Sequence, residues 1–496
     1  MRSSAASDVY KRQVQEAQMR TFSNFAWMFM RTEGDYNFST GSRGRGNLSS
    51  VANPYFLFPQ IYNFRYNIYS SEWPVANRAI ELYLQKKSEN EGWERQINGL
   101  SNNEKANLLL EKHTFKELLA DVEQRNLQNN IVGLEASRIF ARSEINMGVD
   151  AFRDSLYAML KRNTFLNIKF ENMLDTLGQM SRTDIYSSLK EWEQLTPLPF
   201  YSIGEPELTK VVNKGGEEFF VLKVLVSNNS DYDGIIQMNV LQNGWWYQPL
   251  EDPRARKKVE IAAHTTKEFV SVWEEQIREV EVNTMISGNL PYMIRQSIGN
   301  VKQERNKIVK DSIYTLPESS LEMPGEIIVD NEDSTLFVLS TPPVVGLLPK
   351  WLDEVEETPF KYSGISWWRA PLQWTATTNA KYYGKYIRSA YVIKSGDGSQ
   401  TATWKIPVPE AGQYELYYYV FKNDELRWND RLQGEYHFRV AYDSEVEDAY
   451  INLRKANEGW EQLGTYYFSA DTVRVVLTDE CKLRSVTADA VKIVKR

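Results

Sequence analysis

Gln413-Tyr-Glu-Leu-Tyr-Tyr-Tyr-Val-Phe421 is the stretch that decides the fold class of the C-terminal part of the chain. Aromatic and β-branched residues favour strands, and three consecutive tyrosines place aromatic rings on both faces of one strand. Similar short runs recur around it, separated by Gly, Pro and Asp turns at β-sandwich spacing. We therefore predict a β-domain over residues 325–496. Its predicted strands are Glu326–Val329, Thr401–Ile406, Gln413–Phe421, Tyr436–Tyr442, Ala449–Asn452, Gly464–Phe468, Val473–Leu477 and Ala488–Val494.

A second β-prone region precedes this domain. Phe219–Val226 and Ile235–Leu241 flank the turn cluster Asn228–Gly234, which is the pattern of a hairpin with a longer loop. We predict a small β-sandwich over 200–316, with a charged linker from about Gln303 to Pro324.

Residues 104–195 change to helical spacing, with apolar stripes at i, i+4, i+7 and i+8. Gly148 and Gly178 are predicted C-caps, and Asp150 and Ser181 are predicted N-caps of the next helices. The short links favour antiparallel neighbours, hence a helical bundle or superhelix within a mainly helical region, 14–195. The expected fold class is therefore multidomain α plus β: a helical bundle or superhelix followed by two β-sandwich domains.

The opening residues and the cysteine count bear on the origin and the cellular location of the protein. The opening MRSSAASDVYKRQ is similar to translated sequencing-adapter read-through in metagenomic frames. We expect residues 1–13 to be a non-native leader and the helical region to be truncated at its N-terminus. The chain has 1 cysteine, Cys481, so an intramolecular disulfide and a cysteine-based zinc site are excluded. Such scarcity of thiols favours a secreted, cell-surface or periplasmic bacterial protein.

Charge and composition exclude several functional classes. Lys and Arg total 58 against 66 Asp and Glu, which leaves a net charge of -8. Phosphate neutralisation needs a surplus of cations, so we expect no nucleic-acid partner. No apolar run is long enough for a transmembrane segment. Aromatic residues make up 13%, which suits glycan-handling proteins and an aromatic core equally.

No recognisable catalytic motif occurs in the sequence. The chain has 3 histidines, His113, His264 and His437, in different predicted domains, and none belongs to an HExxH helix. No G-x-S-x-G elbow supports a serine nucleophile. Cys481 follows Asp479 and Glu480, whose charges raise a thiol pKa and disfavour a thiolate. We expect no catalytic residue and no cofactor within this chain.

Four tryptophans in and near a Gly/Ser/Pro-containing loop are the candidate ligand-binding residues: Trp367, Trp368, Trp374 and Trp428. Flat aromatic side chains offer an apolar platform with a polar rim to the C–H faces of sugars. Loop tryptophans are poorly explained by core packing, which favours a polysaccharide partner. The alternative is that these rings pack beneath a long loop.

Three closely spaced carboxylates, Asp330, Glu332 and Asp333, are the candidate metal ligands. Ca²⁺ takes six to eight oxygen ligands, so a structural calcium site is one interpretation. The pattern lacks an EF-hand loop, and a strand-to-turn role is the alternative.

Five stretches of the C-terminal region follow a known family pattern: Ile327–Asp333, Gly396–Trp404, Pro407–Tyr417, Gly459–Phe468 and Val486–Ile493. On these stretches, residues 325–496 resemble the golvesin C-terminal-like domain, also called the xanthan-lyase-type carbohydrate-binding-like domain. The resemblance implies a β-sandwich module attached to bacterial extracellular enzymes, with an inferred glycan-binding role. An insertion of about Leu347 to Lys385, which carries loop tryptophans, departs from the family pattern.

A second set of stretches lies in the helical and first β-prone regions: Gly148–Leu156, Phe170–Leu174, Leu189–Trp192, the predicted hairpin Phe219–Leu241 and Val282–Pro291. On these, residues 104–316 more weakly resemble the region after the active site in M1-type (gluzincin) aminopeptidases, in which a helical region is followed by a small β-sandwich. That family's zinc ligands lie on a helix without a counterpart here, so no catalytic residue is carried over, and Zn²⁺ is implied only if a catalytic region lies upstream.

The first hypothesis is a non-catalytic C-terminal portion of a bacterial extracellular or periplasmic protein, with a carbohydrate-binding-like module on an aminopeptidase-derived scaffold. The alternative is a fragment of a zinc aminopeptidase whose active site lies upstream. The third hypothesis is a polysaccharide lyase, although the sequence lacks the cluster of bases that this reaction needs.

Overall fold

The computed structural model describes residues 19, 67–84, 91–163, 166–195, 197–213, 215–241, 252–305, 309–321, 325–340, 360–365, 370–422 and 434–496. They form helices and several β-sheets, which confirms the expected mixture of α and β structure. The chain divides into two compact units, one of residues 1–89 with 109–196, the other of residues 90–108 with 197–496. Within the described ranges, no helix has both the length and the apolar character needed to cross a membrane.

The helices of the described chain are as follows. They are α1 (Ala76–Leu84), α2 (Glu91–Asn98), α3 (Asn102–Lys112), α4 (Phe115–Ala120), α5 (Gln128–Met147), α6 (Val149–Arg162), α7 (Phe170–Ser181) and α8 (Ile185–Leu189). Two short strands, β1 (Asn67–Tyr69) and β2 (Asn167–Lys169), pair in parallel.

The core of the first unit is aromatic. Tyr83 of α1 contacts Phe140 of α5 with ring centroids 4.8 Å apart, and Phe140 lies 5.4 Å from Phe152 of α6. Trp192 is fully buried between Trp73 and Phe115, at 4.9 and 4.6 Å. The apolar stripes predicted for these helices are therefore the faces that the helices bury.

The predicted helix caps are confirmed only at Gly148. This residue ends α5 with φ at 88°, a positive value that glycine adopts more readily than other residues. Asp150 is not an N-cap, since it lies in the first turn of α6. Gly178 is not a C-cap but an interior residue of α7, where a Cβ would lie 2.6 Å from the Thr183 carbonyl oxygen.

The helix α8 begins at a different cap from the predicted one. Ser181 lies inside α7, where its hydroxyl donates to the Leu177 carbonyl at 2.8 Å. Asp184 is the N-cap, and its side chain accepts from the Ser187 backbone N–H at 3.0 Å. The observed N-cap lies three residues after the predicted one. The chain turns between the two helices, where Arg182 adopts a left-handed conformation.

The second unit contains a small β-sandwich of two sheets. Its strands are β3 (Tyr201–Ile203), β4 (Glu207–Val212), β5 (Glu218–Asn228), β6 (Gly234–Leu241), β7 (Arg256–Ile261), β8 (Thr265–Trp273), β9 (Glu279–Asn283), β10 (Met293–Ser297), β11 (Val301–Arg305) and β12 (Ser312–Pro317). One sheet has the strand order β10-β9-β6-β7, and the other has the order β11-β4-β5-β8-β12, with β3 pairing β5. The core of the sandwich includes Tyr201, Val224, Met238 and Val282.

Two sequence expectations for this sandwich are wrong. The strands β5 and β6 do not form a hairpin, because their connection crosses from one sheet to the other. The Asn228 amide holds this crossover by donating to the carbonyls of Tyr232 and Ile261 at 2.8 and 3.0 Å. The charged segment after Gln303 is not wholly a linker, since β12 pairs antiparallel with β8 and Ile313 packs against the core.

A second sandwich follows, built from the sheets β13-β24-β18-β21 and β14-β17-β22-β19-β20, with a three-stranded sheet β15-β16-β23 beside them. Trp404 and Tyr418 are fully buried in its core. The strands are β13 (Glu326–Val329), β14 (Phe337–Leu339), β15 (Thr375–Thr378), β16 (Ser389–Lys394), β17 (Thr401–Pro407), β18 (Gly412–Val420), β19 (Glu435–Tyr442), β20 (Glu445–Asn452), β21 (Gly459–Phe468), β22 (Thr472–Thr478), β23 (Ser485–Ala488) and β24 (Val491–Lys495).

The two sandwiches of the second unit are in direct contact. The Leu290 N–H donates to the Tyr386 carbonyl at 3.1 Å, and the Arg388 N–H donates to the Leu290 carbonyl at 2.6 Å. The helix α2 also contacts the C-terminal sandwich, because the Thr378 hydroxyl donates to the Gly99 carbonyl at 2.8 Å. The C-terminal sandwich is therefore held by backbone bonds rather than by a free linker.

Candidate functional site

Three aromatic rings meet on the outer face of the β13-β24-β18-β21 sheet. Residues of β18 alternate, so Tyr418 points into the core while Tyr419 faces outward and is half-buried. The ring of Tyr419 lies 5.2 Å from Trp460 of β21 and 5.4 Å from Tyr383, which precedes β16. Tyr383 and Trp460 are 5.0 Å apart. We call this cluster, together with Lys492, the aromatic face.

Lys492 of β24 adds a charge to the aromatic face. Its ammonium lies 4.8 Å from the Trp460 ring centroid and 5.4 Å from that of Tyr417. It also donates to the Glu326 carboxylate of β13 at 2.9 Å. The cation is attracted to the ring quadrupoles and fixed by the carboxylate, so the rings are held in a defined arrangement.

A buried carboxyl group, Asp489, lies beneath the aromatic face. One of its oxygens accepts from the Tyr383 N–H at 3.2 Å, which ties the Tyr383 loop to the sheet. Its Oδ1 has no hydrogen-bond partner within the part of the chain that the structure describes. Burial, and next the nearby Asp330, raise the pKa of Asp489 well above its usual range. Burial of this carboxyl thus favours its neutral form over the carboxylate.

Asp330 and Arg388 complete the polar surroundings. Burial raises the pKa of Asp330 to about 7, and Glu332 acts in the same direction. Burial lowers the pKa of Arg388, whose Nη1 donates to the Ala380 carbonyl at 2.8 Å. The site thus combines half-buried rings with polar groups that can donate and accept hydrogen bonds.

The three predicted metal ligands do not form a metal site. Among the described residues, no group of three His, Cys, Asp or Glu side chains is arranged to hold a metal ion. Glu332 pairs with Lys361 at 2.6 Å, accepts from the Tyr362 hydroxyl at 3.0 Å and also accepts from Ser389. Glu332 is therefore engaged by these three partners, and Asp330 is half-buried beside it.

Asp333, the third of these residues, has the alternative role. Its Oδ1 accepts from the Thr335 hydroxyl at 2.7 Å and from the Leu336 N–H at 3.2 Å. This is a side-chain-to-backbone turn that follows β13, and it explains the carboxylate without a metal.

The candidate tryptophans are only partly placed. Trp367, Trp368 and Trp428 lie outside the described residues. Trp374 is half-buried and packs against the core of the C-terminal sandwich, as the packing alternative requires. Its role in ligand binding stays a prediction.

The histidines are not brought together. His264, at an exposed turn, bonds Asp231 and Glu318 at 2.8 and 2.9 Å. His437 bonds Asp448 at 2.8 Å and stacks on Tyr450. Both side chains are engaged with carboxylates in separate sandwiches.

The region that carries the aromatic face has a recognisable family. Residues 368–495 match the family model of the Golvesin C-terminal domain. The match contains Tyr383, Tyr419, Trp460 and Lys492, and it confirms the resemblance seen in the sequence. We use the name golvesin-type domain for these residues together with β13 and β14, which pair into the same sheets.

Several solved structures are similar to parts of the chain. A GH26-CBM35 β-(1,4)-mannanase from Podospora anserina is 12% identical over 35% of this chain and 28% of its own, with a TM-score of 0.19. A CBM35 from Cellvibrio japonicus Abf62 is 10% identical over 25% of this chain and 83% of its own, with a TM-score of 0.18. A β-glucuronidase from Bacteroides uniformis is 12% identical over 59% of this chain and 30% of its own, with a TM-score of 0.17.

This chain therefore spans well under a third of the mannanase. No curated protein matches the sequence.

The sequence did not predict the aromatic face, because the candidate binding residues were tryptophans in and near a loop rather than rings on strands. The run Tyr417–Tyr419 contained the signal, since alternation in a strand sends Tyr417 and Tyr419 to the same side. Trp460 lies within a stretch that carries the family resemblance. What the sequence does not contain is the approach of Tyr383, which comes from a segment 36 residues before Tyr419.

Proposed function

We propose that this chain is a non-catalytic carbohydrate-binding region and that the aromatic face is its binding surface. The observation that carries the proposal is the meeting of Tyr383, Tyr419 and Trp460 on one outer sheet face, beside the Lys492–Glu326 pair. Sugar rings present C–H groups on their faces and hydroxyls at their edges. The aromatic rings of the protein match the C–H faces, and the Lys492–Glu326 ion pair offers a donor and an acceptor to the hydroxyls.

The proposal extends to the rest of the chain. The helices of the first unit, arranged as a bundle, and the small β-sandwich would be a scaffold of aminopeptidase origin in a bacterial extracellular or periplasmic protein. The family match of the C-terminal region supports the extracellular setting, and the chain order of helices followed by a sandwich supports the scaffold. Sequencing the source locus across its 5′ junction tests it: an in-frame HExxH motif with a downstream glutamate would instead assign the chain to a zinc aminopeptidase.

Affinity electrophoresis in gels that contain neutral or acidic polysaccharides tests the aromatic face. We expect Trp460→Ala to weaken binding of the full chain about tenfold, which corresponds to about 1.4 kcal/mol. Tyr419→Ala should act in the same direction, because each ring supports the other two.

Tyr314→Ala is the matched control, since Tyr314 is an exposed tyrosine of the other sandwich. It should leave the retardation unchanged. Equal retardation of wild type and Trp460→Ala in every polysaccharide that retards the wild type would refute the aromatic face as the binding surface.

A further inference from the structure

The opposite outer face of the golvesin-type domain carries three cations on adjacent strands. In β17, β22 and β19 every second residue enters the core, which leaves Lys405, Arg474 and Arg439 facing away from it. Lys405 lies directly across from Arg474 in the strand register. Arg474 is in turn opposite Ala441, two residues from Arg439. We call these three residues the basic face.

Several cations elsewhere in the domain pair with carboxylates, and those of the basic face do not. Lys492, Arg496 and Lys381 each pair with a carboxylate, at 2.9, 2.9 and 3.1 Å. Lys405, Arg439 and Arg474 form no ion pair with any described residue, although the chain has 66 acidic residues.

Two acidic residues near this face are engaged by a histidine. Asp448 is opposite Arg439 in the register, yet it bonds His437 Nε2 at 2.8 Å. Glu480 lies 3.5 Å from the other nitrogen of the same histidine. Both carboxylates contact His437, and neither forms an ion pair with one of the three cations.

The arrangement is unfavourable without a ligand. Like charges directly opposite each other on neighbouring strands repel, and here a third cation is on the diagonal. An anion bound across the three strands would remove the repulsion, and a guanidinium can bind a carboxylate through two parallel hydrogen bonds. The cations alternate with polar positions, since Thr403 and Thr472 also face outward.

We propose that the basic face binds a polysaccharide that carries carboxylate groups, a polyuronate. This site is separate from the aromatic face and goes beyond the proposed function. A flat sheet face with three spaced cations suits an extended polymer with one charge on each sugar. Nucleic acid fits less well, because its denser charge demands a larger basic surface and the chain has a net charge of -8.

Affinity electrophoresis of the full chain in gels with polygalacturonate tests the proposal. We expect the double variant Lys405→Gln, Arg474→Gln to bind at least about fivefold more weakly than the wild type, and added salt to weaken the wild type. The matched control is Lys210→Gln, Lys302→Gln, which removes the same charge from two lysines that pair with glutamates in the other sandwich. It should bind as the wild type does.

A second measurement keeps the test independent of folding. Lys405→Gln should raise the melting temperature because it removes the repulsion, and polygalacturonate should raise that of the wild type but not of the double variant. Equal retardation of the double variant and the wild type would overturn the proposal. So would binding of single-stranded DNA that is tighter than that of polygalacturonate and is lost in the double variant. Trp460→Ala should retain salt-sensitive binding to polygalacturonate, so failure of the aromatic face would be visible separately.

Discussion

At the scale of single residues, the pKa values of two neighbouring aspartates of the golvesin-type domain are shifted in opposite directions. Burial raises the pKa of Asp330 to about 7. The hydroxyl and backbone of Thr335 lower the pKa of Asp333. Because a pKa that differs between the folded and unfolded chain couples stability to pH, the two residues should respond to pH in opposite ways.

Asp330→Asn should stabilise the protein at high pH. A carboxyl with a raised folded pKa binds its proton more tightly in the folded state, so the wild type loses stability as pH rises from about 4 to about 7. Above that window the variant should be more stable by on the order of 1–3 kcal/mol, and the gain should vanish at about pH 4. Denaturant titrations across this pH range measure the difference in unfolding free energy between the two proteins. Other groups with a raised pKa, such as Glu81, are present in both and cancel in that difference.

Asp333→Asn is the control with the opposite sign. Its depressed folded pKa contributes stability that is present above the unfolded pKa and is lost as pH falls. This variant should therefore be less stable than the wild type at neutral pH. A stability of Asp330→Asn that follows the wild type at every pH would contradict the raised pKa of Asp330.

At the scale of elements, the two interior glycines of α5 and α7 serve different purposes. Gly133 of α5 has open surroundings, because an added Cβ would lie 3.7 Å from the Leu82 Cβ, an ordinary contact. Gly178 of α7 does not, since its Cβ would lie 2.6 Å from the Thr183 carbonyl oxygen. The sequence shows two similar glycines in helical patterns, and only the turn after α7 separates them.

Gly178→Ala should destabilise the first unit by about 1–3 kcal/mol, because the returning backbone at Thr183 must move. Gly133→Ala should stabilise the same unit by up to about 1 kcal/mol, because alanine is the better helix former. Chemical denaturation followed by helical circular dichroism measures both. A gain of stability in Gly178→Ala would show that the turn is free to shift.

At the scale of the whole molecule, the second unit depends on close backbone approach. A Cβ on Gly364 would lie 1.8 Å from the Ile97 carbonyl oxygen of α2. Gly99 meets Ser363 in the same way, at 2.5 Å, and has φ at 80°. Two glycines that are far apart in the sequence therefore let α2 lie against the golvesin-type domain.

Gly364→Ala should destabilise this packing by at least about 2 kcal/mol, because backbone atoms cannot yield as a side chain can. Limited proteolysis of the full chain should then cut residues 91–98 faster. Gly92→Ala, in the same helix but with no neighbour within 4 Å of its Cβ, should leave the cleavage rate unchanged or slightly reduced. Unaltered cleavage in Gly364→Ala would contradict the close contact.

The sequence by itself determined the classes of element and the family of the C-terminal region. Strand alternation and helical stripes are local periodicities, so the strand at Gln413–Phe421 and the helical spacing over residues 104–195 could be predicted before any fold was known. The motifs Gly396–Trp404 and Gly459–Phe468 likewise identified the domain that the family match confirms.

Only the tertiary structure decided which strands pair and which side chains meet. The link from β5 to β6 reads locally as a hairpin, yet burial on two sheets separates the strands. Asp330, Glu332 and Asp333 form a candidate cation site in the sequence, but Glu332 pairs with Lys361 and Ser389 from distant segments. The aromatic and basic faces arise from the same cause, because each joins residues of three or more segments whose register is set by sheet pairing, and pairing is a long-range property that local patterns do not encode.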